Sequence, residues 1–153
     1  MATVALDTIV DAIETTLSAA AGLARSETYD ELTEGIPDIP MLQVWPVSAN
    51  TDATTNNDRK TFSAGRRVGL YTIYADLYAR QRSHISEDMG ALIPLITQIE
   101  TILEAQTGGS TLFGLTDGQI KAFRWRWEHV TFTSENDNYK YVGARFVIDV
   151  WTF

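Results

Sequence analysis

The side chains that most often do chemistry are scarce in this sequence. There are two histidines, His84 and His129, and no cysteine. His84 lies in a polar turn ahead of a helical pattern. His129 shares a strand row with Trp125 and Trp127, the setting of a half-buried sheet residue rather than of a general base. Without cysteine the chain has no thiolate nucleophile, disulfide or iron–sulfur cluster, and most structural zinc sites are excluded. No histidine pair at helical spacing and no Asp-rich calcium loop occurs. The nucleophile elbow, the Walker loop and the dinucleotide fingerprint are also missing. Gly108-Gly109-Ser110-Thr111 has a superficial likeness to a phosphate loop, but it lacks the lysine and follows a helix instead of opening one. Twenty acids offer many spatial pairs for glycoside chemistry, and nothing singles one out. The expectation is a chain that is not an enzyme and carries no cofactor and no metal.

Two other constellations stand out. The first is aromatic and arginine side chains on strand-like segments: Tyr71, Tyr74, Tyr78, Trp125, Trp127, Tyr141, Trp151 and Phe153, with Arg66, Arg67, Arg124, Arg126 and Arg145 nearby. Tyr, Trp and Arg are enriched at protein interfaces and their hot spots. The plain alternative is that these aromatics form the core under two helices. The second is residues 48–65, the most polar stretch of the chain, with Phe62 its one large apolar residue. A loop this long is either a disordered surface segment or a docking segment that orders against a partner. Its bases Arg59 and Lys60, with Arg66 and Arg67, could meet the acids at 27–38 of a neighbouring copy. The candidate interface residues are Arg59, Lys60, Phe62, Arg66, Arg67, Tyr71, Tyr74, Tyr78, Arg124, Arg126 and Trp151.

These residues need elements to hold them. Leu6, Ile9, Val10, Ile13, Leu17, Ala20 and Ala24 recur at three- and four-residue steps, which predicts an amphipathic helix of roughly five turns with Gly22 near its end and Arg25 late in it. Glu27 to Pro40 carries five acids, no base and two prolines, and reads as a connector. It leads into the short strand Met41 to Trp45, closed by Pro46 and suited to a sheet edge. Arg66 to Arg80 alternates as a long strand, with Thr72, Tyr74, Asp76 and Tyr78 on one row and Tyr71, Ile73, Ala75 and Leu77 on the other. A second helix runs from about Ser86 to Gln106, kinked at Pro94 or beginning near it. Its apolar face includes Met89, Leu92, Ile93, Leu95, Ile96, Ile99, Ile102 and Leu103. Lys121 to Thr133 and Tyr139 to Phe153 close the chain as two strands joined by the hairpin-like Ser134 to Asn138.

This order predicts an α+β fold in which an antiparallel sheet of about four strands carries two main helices on one face. Its length, 153 residues, suits a single domain with one core, 1–153. Both rows of the sheet hold apolar residues, more than two helices on one face can cover, and the excess argues for a subunit interface. The formal net charge is −8, with the acidity concentrated in the first half. Such a balance would repel a phosphate backbone and argues against specific nucleic-acid recognition. No apolar run is long enough to span a membrane, and the N-terminus lacks the basic region of a secretory signal.

The layout resembles the tail-terminator, or tail-completion, family of long-tailed bacteriophages. The resemblance rests on the N-terminal amphipathic helix, the connector with Pro37 and Pro40 feeding Met41 to Pro46, and the long polar loop. It continues through the strand Tyr71 to Tyr78, the helix Ala91 to Glu100 and the strand Tyr141 to Trp151. It implies a structural virion protein at the head–tail interface, assembled in the host cytoplasm. Its copies would form a hexameric ring on the last ring of tail-tube protein, stop tail growth and present a surface to the head-connector or head-closure protein. DNA would pass through the bore without specific binding, which the acidic balance suits. No site residue carries over from the family. Another neck component, head-closure or tail-tube-like, is the near alternative. A small-ligand-binding or enzymatic α+β domain is the alternative of another class, requiring a pocket with convergent polar groups.

Overall fold

The computed structural model describes residues 5–28, 39–50, 70–81, 85–106, 112–115, 120–133 and 140–152. In chain order the elements are α1 (Leu6–Leu17), β1 (Arg25–Thr28), β2 (Met41–Asn50), β3 (Leu70–Gln81), α2 (Ile85–Ala105), β4 (Ile120–Thr133) and β5 (Lys140–Thr152). The strands form one sheet in the order β1-β2-β3-β5-β4. The α+β class is as expected, but the sheet is a mixed one of five strands, not an antiparallel one of four. β1 pairs parallel to β2, Arg25 opposite Met41 through Thr28 opposite Val44, and all other pairings are antiparallel.

The extra strand comes from both the predicted first helix and the predicted connector. α1 ends at Leu17, after about three turns, although the apolar spacing runs on and Ala20 is still buried. The amide of Ser18 bonds back to Glu14 and its hydroxyl to the Thr15 carbonyl, closing the last turn. Gly22, at φ 95°, then takes a left-handed conformation that suits glycine. The amides of Ala24 and Arg25 donate to the Pro40 carbonyl, which starts the parallel pair. Sheet pairing thus overrides helical periodicity here, and Arg25 sits on a strand instead of at a helix C-terminus.

β2 runs past Pro46 to Asn50, with a register shift between Pro46 and Ser48. It is second from the sheet's edge, not the edge itself. β1 accompanies it only as far as Val44, so Pro46 lies beyond the stretch where a missing N–H would break the β1 ladder. α2 continues through Pro94, which is exposed. Leu92, Leu95, Ile96, Ile99 and Leu103 form its buried stripe, whereas Ile93 is on the opposite side, 52% exposed.

Both helices lie on one face. Leu42, Val44, Ile73, Ala75, Leu77, Ala144, Phe146, Ile148 and Val150 point up from the strands to meet Ile9, Val10, Ile13 and Leu17 of α1 and the α2 stripe. Ser26 of β1 donates its hydroxyl to Glu14 of α1 on the same side. The short turn at Leu112–Leu115 drops Phe113 into this core, edge-on to Phe123 at 4.8 Å. The helices cover the middle of the sheet and stop short of β4, where Trp127 and His129 are exposed on the helix side. Among the described residues no helix is long and apolar enough to cross a membrane.

Candidate functional site

Strand alternation sends every second side chain to the face without helices. The pairing register then arranges those side chains in transverse rows. One row crosses all five strands: Glu27, Gln43, Asp76, Arg145 and Glu128 stand successively opposite one another. Its flanking rows are largely apolar or aromatic. Met41, Tyr78, Gly143 and Val130 lie on one side, and Trp45, Tyr74, Val147 and Arg126 on the other. Beyond the second of these, Thr72, Asp149 and Arg124 make a further polar row.

Arg145 is the hub of the central row. Its Nε donates to Asp76 Oδ1 at 2.8 Å and its Nη2 to Asp76 Oδ2 at 3.2 Å, a two-pronged pair. The Asp76 side chain is 3% exposed, and its Oδ2 also accepts the Trp45 indole N–H at 2.9 Å. The guanidinium lies 4.3 Å from the Tyr74 ring centroid and 5.8 Å from those of Trp45 and Phe132. Such stacking suits the planar, weakly hydrated arginine cation. The Asp76 hydrogen bond is the main cause holding the Arg145 pKa above its ordinary value, with burial opposing it.

At the β1 end of the row Glu27 is fully buried. Gln43 Nε2 donates to its Oε1 at 2.7 Å, and Arg25 lies 3.0 Å from its Oε2, although that oxygen receives no well-aligned hydrogen bond. In the far polar row Asp149 accepts from the Thr72 hydroxyl and from Arg124 Nε, both at 2.8 Å, and Arg124 lies over the Trp151 ring at 5.2 Å.

Tyr78 packs against Phe132 with ring centroids 4.3 Å apart and meets Tyr141 edge-on at 6.3 Å. Its hydroxyl pKa is pushed up to about 12, first by burial and then by the Asp76 charge, with Arg145 acting the other way and Glu27 adding to the rise. A folded-state value above the unfolded 10.0 means that the folded chain holds this proton more tightly. The resulting stability is fully present below pH 10 and is lost as pH rises toward 12. Urea midpoints measured from pH 8 upward should therefore fall at alkaline pH, and less steeply in Tyr78→Phe. Identical alkaline slopes in the two proteins would show that Tyr78 contributes nothing to the decline.

The sequence-predicted interface residues divide three ways. Tyr74, Tyr78, Arg124, Arg126 and Trp151 share the face without helices, the open face, although Met41, Asp76 and Val147 on it are buried. Tyr71 does not: it lies on the helix side, half-buried against the core, because it alternates with Thr72 in the row of Ile73 and Ala75. Arg59, Lys60, Phe62, Arg66 and Arg67 lie outside the described residues, as do His84, residues 51–65 of the polar loop, and the acids at 30–38. Glu27, the first acid of that stretch, is buried beside Gln43 and so is not a surface charge for a neighbouring copy. Trp45, Asp76, Phe132 and Asp149 belong to the open face and were not singled out. The signal for the two aspartates was there, a lone acid in each strand row. Among the described residues no three of His, Asp and Glu converge as a metal-binding group. No protein-family model matches the chain, and no curated protein matches it.

Proposed function

We propose that the chain is a structural, non-enzymatic virion subunit of the tail-terminator type. Copies assemble into a ring that caps the tail tube, stops its growth and forms the joint to the head connector. The observation that supports this reading is the open face of the sheet. It carries Trp45, Tyr74, Tyr78, Trp151 and Arg145, all half-buried, and the exposed Arg124, residue types favoured at interface hot spots, on a strand scaffold that fixes their geometry. Side chains already held by ion pairs and ring contacts lose little freedom when a partner docks. A face of this kind that meets a different surface on the next copy gives a head-to-tail contact, and such contacts close into rings when the rotation closes. The net charge of −8 supports a bore past which DNA slides without adhering.

Light scattering over a range of concentrations, with negative-stain images of the same samples alone and with purified tail tubes, tests the reading. Annular particles of about six copies, or density capping tube ends, are the expected result. Arg124→Ala with Trp151→Ala should then weaken ring formation. A chain that forms no rings and leaves tube ends bare overturns the reading.

A further inference from the structure

Among the described residues β4 is the sheet's outermost strand, with no strand paired on its outer edge. From Arg126 to His129 every residue is exposed, on the helix side and the open side alike. Arg126 and Glu128, an ion pair 3.6 Å apart within the chain, are 66% and 50% exposed, and Trp127 is 39% exposed. A long strand with an uncovered edge offers its outward N–H and C=O groups to another strand, and proteins normally guard such edges with charge. Arg126 and Glu128 in the middle of β4 are of opposite sign and two residues apart, which makes them a guard with one exception.

We infer that β4 pairs antiparallel with β4 of a second copy of this chain, about a two-fold axis through Trp127. In that register residues whose numbers sum to 254 face each other. Arg126 then stands opposite Glu128 of the second copy, and Glu128 opposite Arg126, so two ion pairs between copies join the one inside each chain in a network of alternating sign. On the helix side Trp127 meets its own equivalent, and Trp125 meets His129. Arg124 falls opposite Val130, so no like charges oppose each other in this stretch.

The neighbouring face-preserving registers are worse. An axis at Arg126 sets that arginine against itself, an axis at Glu128 does the same with the glutamate, and an axis at Trp125 opposes Arg124 to Arg126. Directly opposed like charges destabilise a strand pair. The two-fold preserves the faces, so the helices of both copies stay on one side. Because α1 and α2 lie over β1, β2, β3 and β5, Trp127 on β4 stays exposed on that side. The central polar row is also extended: Asp76, Arg145 and Glu128 lead directly to Arg126 of the second copy.

This dimer uses the sheet's edge, whereas the ring reading uses its face, so neither depends on the other. An interface made mainly by one strand edge is small, and its dimer should be concentration-dependent.

Cysteine cross-linking gives the direct test, because the sequence contains no cysteine and the background is nil. Under mild oxidation the full-length Trp127→Cys protein should give a covalent two-chain species, since residue 127 faces itself across the axis. Arg124→Cys should not, because its two copies lie several residues apart along the strands. In sedimentation runs the wild type should move from one-chain toward two-chain mass with concentration. Glu128→Arg should hold it at one-chain mass, and Arg126→Glu combined with Glu128→Arg should restore the dimer. All these positions are exposed, so the variants should fold. Equal cross-linking at 124 and 127, a Glu128→Arg protein that dimerises like the wild type, or a wild type at one-chain mass throughout overturns the inference.

Discussion

Arg145→Ala should cost about 3 kcal/mol of folding stability, at the lower end of the range for removing one partner of a buried ion pair. The loss arises mainly at Asp76. Its side chain is 3% exposed, and without the guanidinium it keeps, among the described residues, the Trp45 indole N–H and no cation. An uncompensated carboxylate away from water then carries most of its desolvation cost. Arg145 is itself a quarter exposed, which keeps the figure from the upper end. Contacts with Tyr74, Trp45 and Phe132 disappear in the same substitution. Urea denaturation provides the measurement, and a paired variant sharpens it. Asp76→Leu with Arg145→Met, which removes both charges and retains bulk, should recover at least half of the loss, because apolar replacement of a whole buried pair is often close to neutral. A loss below about 1 kcal/mol for Arg145→Ala would mean that the pair behaves as an exposed salt bridge.

Gly143→Ala should be comparably severe for a steric reason. A Cβ at residue 143 would stand 2.0 Å from the Leu77 carbonyl oxygen and 2.7 Å from Phe132 Cε2. The first neighbour is backbone of β3, paired with β5 on either side of the point of contact, so it cannot move without opening the ladder. The second is the ring that packs on Tyr78. Overpacking usually costs about 1–3 kcal/mol, and a clash with paired backbone belongs at the top of that range or above it. The expected outcome is a large drop in the thermal midpoint or little folded protein recovered. Gly90 provides the contrast within one molecule. It is an exposed residue of α2 with nothing within 4 Å of a built Cβ, and Gly90→Ala should stabilise by about 0.5–1 kcal/mol. If both substitutions behave alike, close packing at Gly143 is not what determines the result.

The parts of this fold that were legible in the sequence are those in which a row pattern is strong and local. The two rows of β3 and of β5, the row of Phe123 and Trp125 in β4, and the α2 stripe all follow from alternation or helical spacing. β1 was not legible. Arg-Ser-Glu-Thr has no apolar residue, and the strand exists because its partners neutralise it: Gln43 and Arg25 for Glu27, Glu14 for Ser26. The length of α1 was misread because its apolar spacing continues through Ala20, whereas the chain is committed to sheet pairing from Ala24 onward. Tyr71 was included among the interface residues on residue type, although its own strand row already placed it with Ile73 on the core side. The centre of the open face was hidden for a different reason. Arg145 and Asp76 are 69 residues apart in the chain, and no local pattern specifies which residue of one strand meets which of the other.

The transverse polar row therefore acts as an address as well as an ion pair. Hydrophobic alternation has a period of two, so it rejects a one-residue slip between strands but tolerates a slip of two, which returns every apolar side chain to its proper face. Sliding β5 by two against β3 would set Asp76 opposite Gly143 or Val147, and Arg145 opposite Tyr74 or Tyr78. A buried aspartate would then face a residue with nothing to offer it. The same slip would separate Thr72 from Asp149, and a slip of β4 against β5 would separate Arg124 from it. Burial alone would leave the sheet a ladder with several acceptable rungs, and these few charged residues select a single one.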